Sequence, residues 1–588
     1  MDINENIKTK ITDYLNEKGL SSVEAVLDTP KDSTHGDLTT NIALQAAKQL
    51  QKAPIEIATE IADLFAGNSQ IDKVEVAGPG FLNFHLNKSL VKEVVNTIIE
   101  SADFGTSDWG KGQTWLIEHT SPNPNKAMHL GHLRNNVTGM AISNLAKSIG
   151  INVVMDCIDN NRGIAIAKLM WGYLKFANKD QSKQIEDINE WYNNQDDWQT
   201  PEDLGLSPDK FMDQLYVKGA EDFKNEDVES KVRQLVVNWE NEDNVTWELW
   251  RKVLDYVYAG QAATLKRLGS HWDYVWHEHE HYKEGKEIVE KGLETGIFTK
   301  LDNGAVMTNL KNYNLPDTIV IKKDGTSLYI TQDLALTKRK MDKFHPDKMF
   351  WVIGPEQSLA MKQVFAVSEQ LGFGKLEDFN HIAYGFITIK GQGKMSSRAG
   401  NVVYIDDLLD DARDTVLERI KNENLSESEK LDIAEKVGLG AVKYSILKVG
   451  RLTNTAFDFD TSLSFEGDSG PYLMYTYARC SSILRQANVS NVENLAVVLN
   501  TEEEQQVLRS LNLFPKKVLE ATQEYAPNVL CNYLFELAQV YNKFYNQHSV
   551  LNAQTQEDVN SRVALTYAVS QTLKKGLNFL GIETVESM

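Results

Sequence analysis

Two histidines three residues apart, in His129-Leu130-Gly131-His132, stand where an apolar strand pattern gives way to a helical one. A helix N-terminus presents unpaired backbone N–H groups and a partial positive charge, which suits phosphate oxygens. Gly131 lets the backbone approach a nucleotide closely. Imidazoles at i and i+3 share a helical face, from which both can donate hydrogen bonds to phosphate. Far downstream, Lys394-Met395-Ser396-Ser397-Arg398 lies among Gly391, Gly393 and Gly400. A glycine-rich loop of this composition can close over a triphosphate and neutralise charge as pyrophosphate leaves. Alone, each motif has a plain alternative: a surface histidine pair, or a solvated basic loop. In this order on a parallel sheet, the two together describe a nucleotide site.

The elements that position them follow from periodicity. Residues 114–120 read as a buried strand, and the Ser121-Pro122-Asn123-Pro124-Asn125 run as a loop. Leu133, Val137, Met140, Ala141, Leu145 and Ile149 recur at helical spacing, and Gly150 stands where a C-terminal cap belongs. Residues 151–159 read as a second buried strand, which completes a βαβ unit and implies a parallel sheet. Parallel-sheet patterns resume at 318–323, 348–354 and 381–389. Before this region, helical patterns at 7–18, 38–50 and 54–65 precede a hairpin turning on Gly78-Pro79-Gly80, and a helix runs from 90 to about 101. After about residue 456 the chain reads as helical throughout.

Composition bounds the rest. A chain of 588 residues is long enough for several domains. Hydrophobic residues at 42% and charged residues at 24% fit a soluble globular protein, with no signal peptide and no membrane-spanning run. Cys157, Cys480 and Cys531 are too scattered for a disulfide framework or a zinc ribbon. A net charge of −22 leaves no overall basic footprint, so any nucleic-acid partner must be held by local basic stripes.

The His129–His132 and Lys394–Arg398 pair resembles the HIGH and KMSKS signatures of the class I aminoacyl-tRNA synthetases. Further stretches narrow the resemblance to the arginyl-tRNA synthetases: EHTSPNPNKAMHLGHLRN, YITQDLAL, WVIGPEQ, KMSSRAGNVV, the 457–485 junction, and STHGDLTTNIA with GPGFLNFHL near the N-terminus. It covers nearly the whole chain. It implies ATP contacts from His129, Gly131, His132, Lys394, Met395, Ser396 and Arg398, with His129, His132, Lys394 and Lys126 as the catalytic set. It implies that Glu118, Asn123, Tyr329, Asp333 and Gln357 bind arginine. Physical chemistry supports that set. A guanidinium is planar and always charged, and carboxylates with planar acceptors hold it best. Tyr329 and Asp333, four apart, share a helical face, and two carboxylates reject lysine and neutral amino acids.

Two positions depart from the family pattern. Ser397 stands where KMSKS has its second lysine, and Lys126, three residues before His129, is the expected substitute. Asn160-Asn161-Arg162-Gly163 lacks the aspartate that often follows the first asparagine. His277-Glu278-His279-Glu280-His281 has metal-ligating residue types without HExxH spacing, and reads as a polar surface segment. In the C-terminal region Tyr472, Tyr475 and Arg479 recur at helical spacing and suit stacking on unpaired tRNA bases.

The expected architecture is α/β: a Rossmann-type parallel-sheet catalytic domain at 106–455 with a helical insertion at about 175–285. An N-terminal α+β tRNA-contacting domain at 1–105 and an all-α anticodon-binding domain at 456–588 flank it. The expected activity is arginine–tRNA ligation in the cytoplasm by a monomer. Its partners are ATP with Mg²⁺, L-arginine and tRNA(Arg), with no membrane partner and no structural metal. The alternatives are a non-catalytic tRNA-binding paralogue, another class I nucleotidyl-transferring enzyme, or a cysteinyl-tRNA synthetase, whose cysteine-rich zinc site these three cysteines do not supply.

Overall fold

The apolar run after Gln113 forms strand Thr114–Glu118, buried on both faces along most of its length, as a central parallel strand must be. The computed structural model describes residues 3–20, 23, 25–28, 30, 35–326, 328–391, 402–421, 425–487, 495 and 497–588. The sheet order is Phe379–Ile382, Lys348–Val352, Thr114–Glu118, Asn152–Asp159, Tyr274–His277, and every neighbouring pair is parallel. The chain enters in the middle, winds outward on one side, then returns to wind outward on the other. The order reverses between Thr114–Glu118 and Lys348–Val352. In open parallel sheets, ligands bind in the crevice at the carboxyl ends of strands at such a reversal.

Side-chain alternation divides the strands between two layers. Trp115, Ile117, Met155 and Phe350 pack with Leu133 and Val137 of helix Leu130–Ser148. Leu116, Met349 and Trp351 face the other way, toward Leu334 of helix Tyr329–Phe344 and Val364 of helix Ser358–Gln370. The Tyr329–Phe344 helix runs antiparallel to the strands, because Asp347, just past its end, bonds to Thr114 at the sheet's amino edge. Tyr329 and Asp333 therefore stand toward the carboxyl edge.

Four details differ from the sequence reading. Residues 38–50 are not one helix: Leu38–Thr40 pairs antiparallel with Phe81–Leu86 before helix Ile42–Leu50 begins, and three residues are too few to display a period of two. The apolar run at 318–323 leaves the parallel sheet and forms an antiparallel sheet with Val306–Met307 and Thr299–Lys300, partners that a local hairpin brings close. The 381–389 run breaks in two. Phe379–Ile382 edges the main sheet, while Ile387–Ile389 pairs with Thr455–Phe457. Between them Gly385 lies so close to Thr453 that a Cβ would meet its backbone at 2.6 Å.

The fourth difference concerns the insertion. Helix Ile164–Phe176 already belongs to its core, with Trp191, Phe211 and Val253. The insertion's last helix is Asn244–Arg267, and Tyr274–His277 is the fifth strand of the sheet. The Tyr274–His277 pattern alternates only over four residues, which polarity on both sides disguises. Beyond Thr455–Phe457 the long helices are Gly470–Ala487, Glu502–Asn512, Phe514–Gln523, Pro527–Gln547 and Gln556–Phe579. Their apolar residues share one cluster with the sheet. Tyr525 sets its ring 5.9 Å from Trp115 and 5.2 Å from Phe350. All three cysteines are buried and free.

Candidate active site

The start of helix Leu130–Ser148 is capped by histidines. His129 is the N-cap residue, and its Nδ1 accepts from the Gly131 N–H at 3.2 Å. His132 reaches back, and its Nδ1 accepts from the His129 N–H, also at 3.2 Å. This is the reciprocal arrangement that Ser/Thr and Glu usually make. The two rings stack with centroids 3.9 Å apart. Because each Nδ1 accepts from a backbone N–H, the ring proton of each neutral imidazole sits on Nε2, which remains as its outward donor. Burial, and next the charge of Lys126, lower the His129 pKa to about 4; burial, His129 and Lys126 hold His132 well below its usual value. The pair is therefore neutral at pH 7. A Cβ on Gly131 would come within 3.1 Å of the His129 ring, so the glycine makes room for the fold-back of that ring.

Chain pairing brings the segment that follows the second motif beside the start of this helix. There Leu130 N–H donates to Val403 O and Ile405 N–H to Met128 O, both at 3.1 Å. Lys394, Met395, Ser396, Ser397 and Arg398 themselves lie outside the described residues. The insertion holds the loop before the helix, since Gln261 donates to Lys126 O at 3.2 Å and Asn123 O at 3.4 Å. It also touches the segment after the second motif, where Tyr404 donates to Asp213 at 2.8 Å.

Three consecutive helix residues rivet the surroundings. The buried Arg134 guanidinium donates to three carbonyls, Phe386, Arg451 and Thr453, at 3.0, 3.1 and 2.7 Å. Asn135 accepts from Thr120 N–H at 2.7 Å and donates to Val352 O at 2.7 Å and the Tyr384 hydroxyl. Asn136 donates to Thr120 Oγ1 and Ser270 Oγ. Thr120 has φ +54°, uncommon and costly for a β-branched residue. The two asparagines hold it there, just after Glu118.

On the opposite face lies an acidic cluster. Glu118 and Asp156 are opposite each other in adjacent parallel strands, so their side chains stand side by side. Lys340 lies between them, 1% exposed, with Nζ 2.6 Å from Glu118 Oε2 and 2.7 Å from Asp156 Oδ2. The Trp276 indole N–H donates to the same Asp156 oxygen at 2.8 Å. Burial raises the Glu118 pKa against the pull of Lys340, with Asp156 pushing the same way as burial. Burial would strip the Lys340 ammonium, but Asp156 and Glu118 outweigh it and hold its pKa up. Asp333, half-buried, is raised to about 7 by desolvation and then by Glu118, with Lys340 opposing.

Of the expected arginine contacts, Glu118 and Asp333 are brought within electrostatic reach of each other. Tyr329, first in the helix, is 89% exposed, and Gln357 and Asn123 are exposed at the ends of the Lys348–Val352 and Thr114–Glu118 strands. Glu118 is not the free carboxylate that its place in the motif suggests, since Lys340 occupies one oxygen. Lys340 and Asp156 escaped the sequence reading. The signal was Lys340 seven residues after Asp333, two turns along one helical face.

The segment His277–His281 is a brace rather than a polar surface. His277 closes the edge strand and contacts Asp159 Oδ2 at 2.7 Å, which raises its pKa. Asn161 donates to Asp159 and bonds the His279 ring, each at 2.9 Å, and His281 is buried. Arg162 lies 3.7 Å over the Tyr282 ring and pairs with Glu240. The Asn160–Gly163 loop thus ties strand Asn152–Asp159 to strand Tyr274–His277 and the helical turn after it. In the C-terminal bundle Arg479 lies between the rings of Tyr475 and Tyr545, 4.9 and 5.1 Å from their centroids, and donates to Asn542. Asn542 in turn donates to the Tyr472 hydroxyl. These residues share one face, with Tyr475 exposed.

Comparison with known proteins covers the whole length. Residues 93–459 match the family described as tRNA synthetases class I (R), catalytic domain. Residues 473–588 match the DALR anticodon binding domain, and residues 2–86 the arginyl tRNA synthetase N terminal domain. The arginine–tRNA ligase of Bacteroides thetaiotaomicron is 32% identical over 589 residues, covering 96% of this chain and 95% of that protein. The Treponema denticola ligase is 32% identical over 613 residues, covering 99% and 100%. The Thermus thermophilus arginyl-tRNA synthetase structure shares the fold with a TM-score of 0.82 at 24% identity, covering 99% of this chain and 100% of that one.

Proposed function

The chain belongs to the class I arginyl-tRNA synthetases, and from that premise we propose how its residues divide the work of charging tRNA(Arg). It is an arginine–tRNA ligase. In the first step a carboxylate oxygen of arginine attacks the α-phosphorus of ATP, the bond to the bridging oxygen breaks, and pyrophosphate leaves. In the second, a ribose hydroxyl of the terminal adenosine of tRNA attacks the arginyl carbonyl and releases AMP. Neither step needs a side-chain nucleophile. Positioning and charge stabilisation supply the rate.

His129 and His132 present Nε2–H donors beside the helix N-terminus, and the backbone around Gly131 completes the phosphate contacts. Because burial keeps both imidazoles neutral, cationic compensation for the triphosphate falls to Lys126 and, by the family resemblance, to Lys394 and Arg398, with Met395 and Ser396 as further nucleotide contacts. Lys126 already acts electrostatically on both histidines, which supports its replacing the lysine absent at Ser397. Mg²⁺ would accompany ATP on its phosphates, where it would offset their charge.

Arginine's guanidinium meets Asp333, Glu118 and the Tyr329 hydroxyl, and Asn123 and Gln357 complete its contacts. The observation that carries this reading is the desolvated carboxylate pair, Glu118 and Asp333, at the carboxyl edge of the sheet beside its order reversal. A lysine ammonium offers no planar fork to that pair, and a neutral side chain leaves it unpaired. Tyr472, Tyr475 and Arg479 serve the tRNA end of the reaction. The domain limits of the reading are 1–105, 106–455 and 456–588, acting as a monomer in the cytoplasm.

The test is pyrophosphate exchange into ATP with arginine, lysine and cysteine, with and without tRNA(Arg). Exchange with arginine alone, and only with tRNA present, is the expected result. Arginine exchange without tRNA would keep the substrate and remove the tRNA dependence. No exchange with any amino acid would point to a non-catalytic paralogue.

A further inference from the structure

Two strand carboxylates, Glu118 and Asp156, share one buried cation, Lys340, and Asp333 lies within electrostatic reach of Glu118 and Lys340. Glu118 and Asp156 are forced together by the parallel register of their strands. Asp333 lies two helical turns before Lys340, on the same face of the same helix. Helix side chains lean toward the helix N-terminus, so Lys340, rooted deeper along the sheet, points back toward the carboxyl edge and reaches both strand carboxylates. The Trp351 ring lies 5.8 Å from its ammonium, and the Trp276 indole fills the other flank of Asp156. Asp156 Oδ1 is buried with no hydrogen-bond partner, so the cluster stays short of positive groups even with Lys340 in place.

We propose that Lys340 is the positioning residue of the arginine pocket: it clamps Glu118 to Asp156 and leaves Asp333 as the carboxylate open to the guanidinium. This rests on the assignment of Glu118 and Asp333 to arginine binding. The charged groups facing the cluster are few. Glu118 and Asp156 come from the strands, and Asp333 and Arg339 from the Lys340 helix. Glu280 and His281 come from the short helix Glu278–His281, and Glu284 from helix Glu284–Glu294. Arg339 is engaged by Glu284, and burial and then Arg339 keep His281 neutral at pH 7, its pKa lowered to about 4. Lys340 is therefore the cation that balances the carboxylates. Both Glu118 and Asp333 are held down by its charge against their desolvation. Their titration is shared, so the acid limb of arginine binding belongs to the pair.

The experiment follows kcat/KM for arginine from pH 6 to 9 in tRNA-dependent exchange, with KM for ATP and thermal melting measured alongside. The variants are Lys340→Met, Lys340→Arg, Asp156→Asn and Asp333→Asn. Lys340→Met removes the cation and should move the acid limb up by about one pH unit or more, with arginine KM raised at least about tenfold at pH 7 and ATP KM unchanged. Lys340→Arg should return the limb toward wild type. Asp156→Asn removes a like charge at constant shape and should move the limb down. If Lys340→Met does not fold, Asp156→Asn and Lys340→Arg carry the test.

A structural role alone would displace no limb, or displace both variants the same way, or raise the KM for ATP together with that for arginine. Any of these overturns the proposal. If Asp333→Asn keeps the wild-type arginine KM, the pocket assignment itself fails. If Asp333→Asn loses arginine binding while the Lys340 and Asp156 variants keep the wild-type limb, only the role of Lys340 fails.

Discussion

Asp333→Asn removes one charge from the pocket and keeps its shape. The carboxyl is pushed from 3.8 to about 7 by desolvation and by Glu118, against the pull of Lys340. If Asp333 holds the guanidinium as proposed, arginine binds its ionised form, so affinity should fall about tenfold per pH unit below 7 and level off above it. Truncating one partner of a desolvated charge pair costs about 2–5 kcal/mol, or about 30-fold or more in kcat/KM. The variant should show that loss at pH 8, with a flatter pH profile. The stability sign is opposite. The folded pKa lies above the unfolded value, so the protonated carboxyl stabilises the fold fully below about pH 4, and that contribution is lost as pH rises through 7. The interval corresponds to at most about 4 kcal/mol, reduced by the partial exposure of Asp333. Without arginine, Asp333→Asn should therefore melt higher than wild type at pH 8, and arginine should raise the melting temperature strongly in wild type only. Steady-state exchange at pH 6, 7 and 8 with parallel thermal melts decides it. A variant with wild-type arginine KM, or one that melts lower at pH 8 without ligand, refutes the reasoning.

Other substitutions test the remaining parts. Lys126→Ala should slow arginine activation about 100-fold with little change in arginine KM; near wild-type exchange would show that another group supplies the charge. Arg134→Met removes the guanidinium donor to three carbonyls, of which Phe386 and Arg451 keep backbone donors from Thr455 and Gly385 while Thr453, among the described residues, does not; it should destabilise the protein by about 1–3 kcal/mol, read as a lower urea midpoint at unchanged slope. Asn135→Ala frees the strained Thr120 turn beside Glu118, so arginine KM should rise along with a loss of about 1–3 kcal/mol of stability; a stability loss with unaltered arginine KM would separate the turn from the pocket. Tyr475→Ala should raise KM for tRNA about tenfold by removing the exposed ring beside Arg479, and an unchanged tRNA KM would remove that face from recognition.

Much of this protein was legible in one dimension because its chemistry is local in sequence. His129, Gly131 and His132 fall within one turn of helix, Tyr329 and Asp333 lie one turn apart on another helix, and Gly150 follows the end of the helix that the apolar spacing marks. The strand at 114–118, the helix after it and the strand at 152–159 announce themselves by period and by turn residues. Even the three-residue hairpin loop Gly78-Pro79-Gly80 is written in residues that favour a turn.

Tertiary structure decided what depends on partners far away in sequence. Periodicity identifies a strand but not its neighbours, so 318–323 read as part of the parallel sheet and Tyr274–His277 as part of the insertion. The histidines at 129 and 132 were legible as a candidate phosphate site, yet only their mutual capping and burial place the ring proton on Nε2 and make them neutral. The His277–His281 segment becomes a brace because Asp159 and Asn161 arrive from another strand. Most of all, Glu118 and Asp156 lie 38 residues apart along the chain, and parallel register brings them side by side. Lys340, more than 180 residues further on, then becomes their shared counter-ion. Motifs record which groups a reaction needs. The charge each group carries depends on burial and on neighbouring charges, and those exist only once the chain has folded.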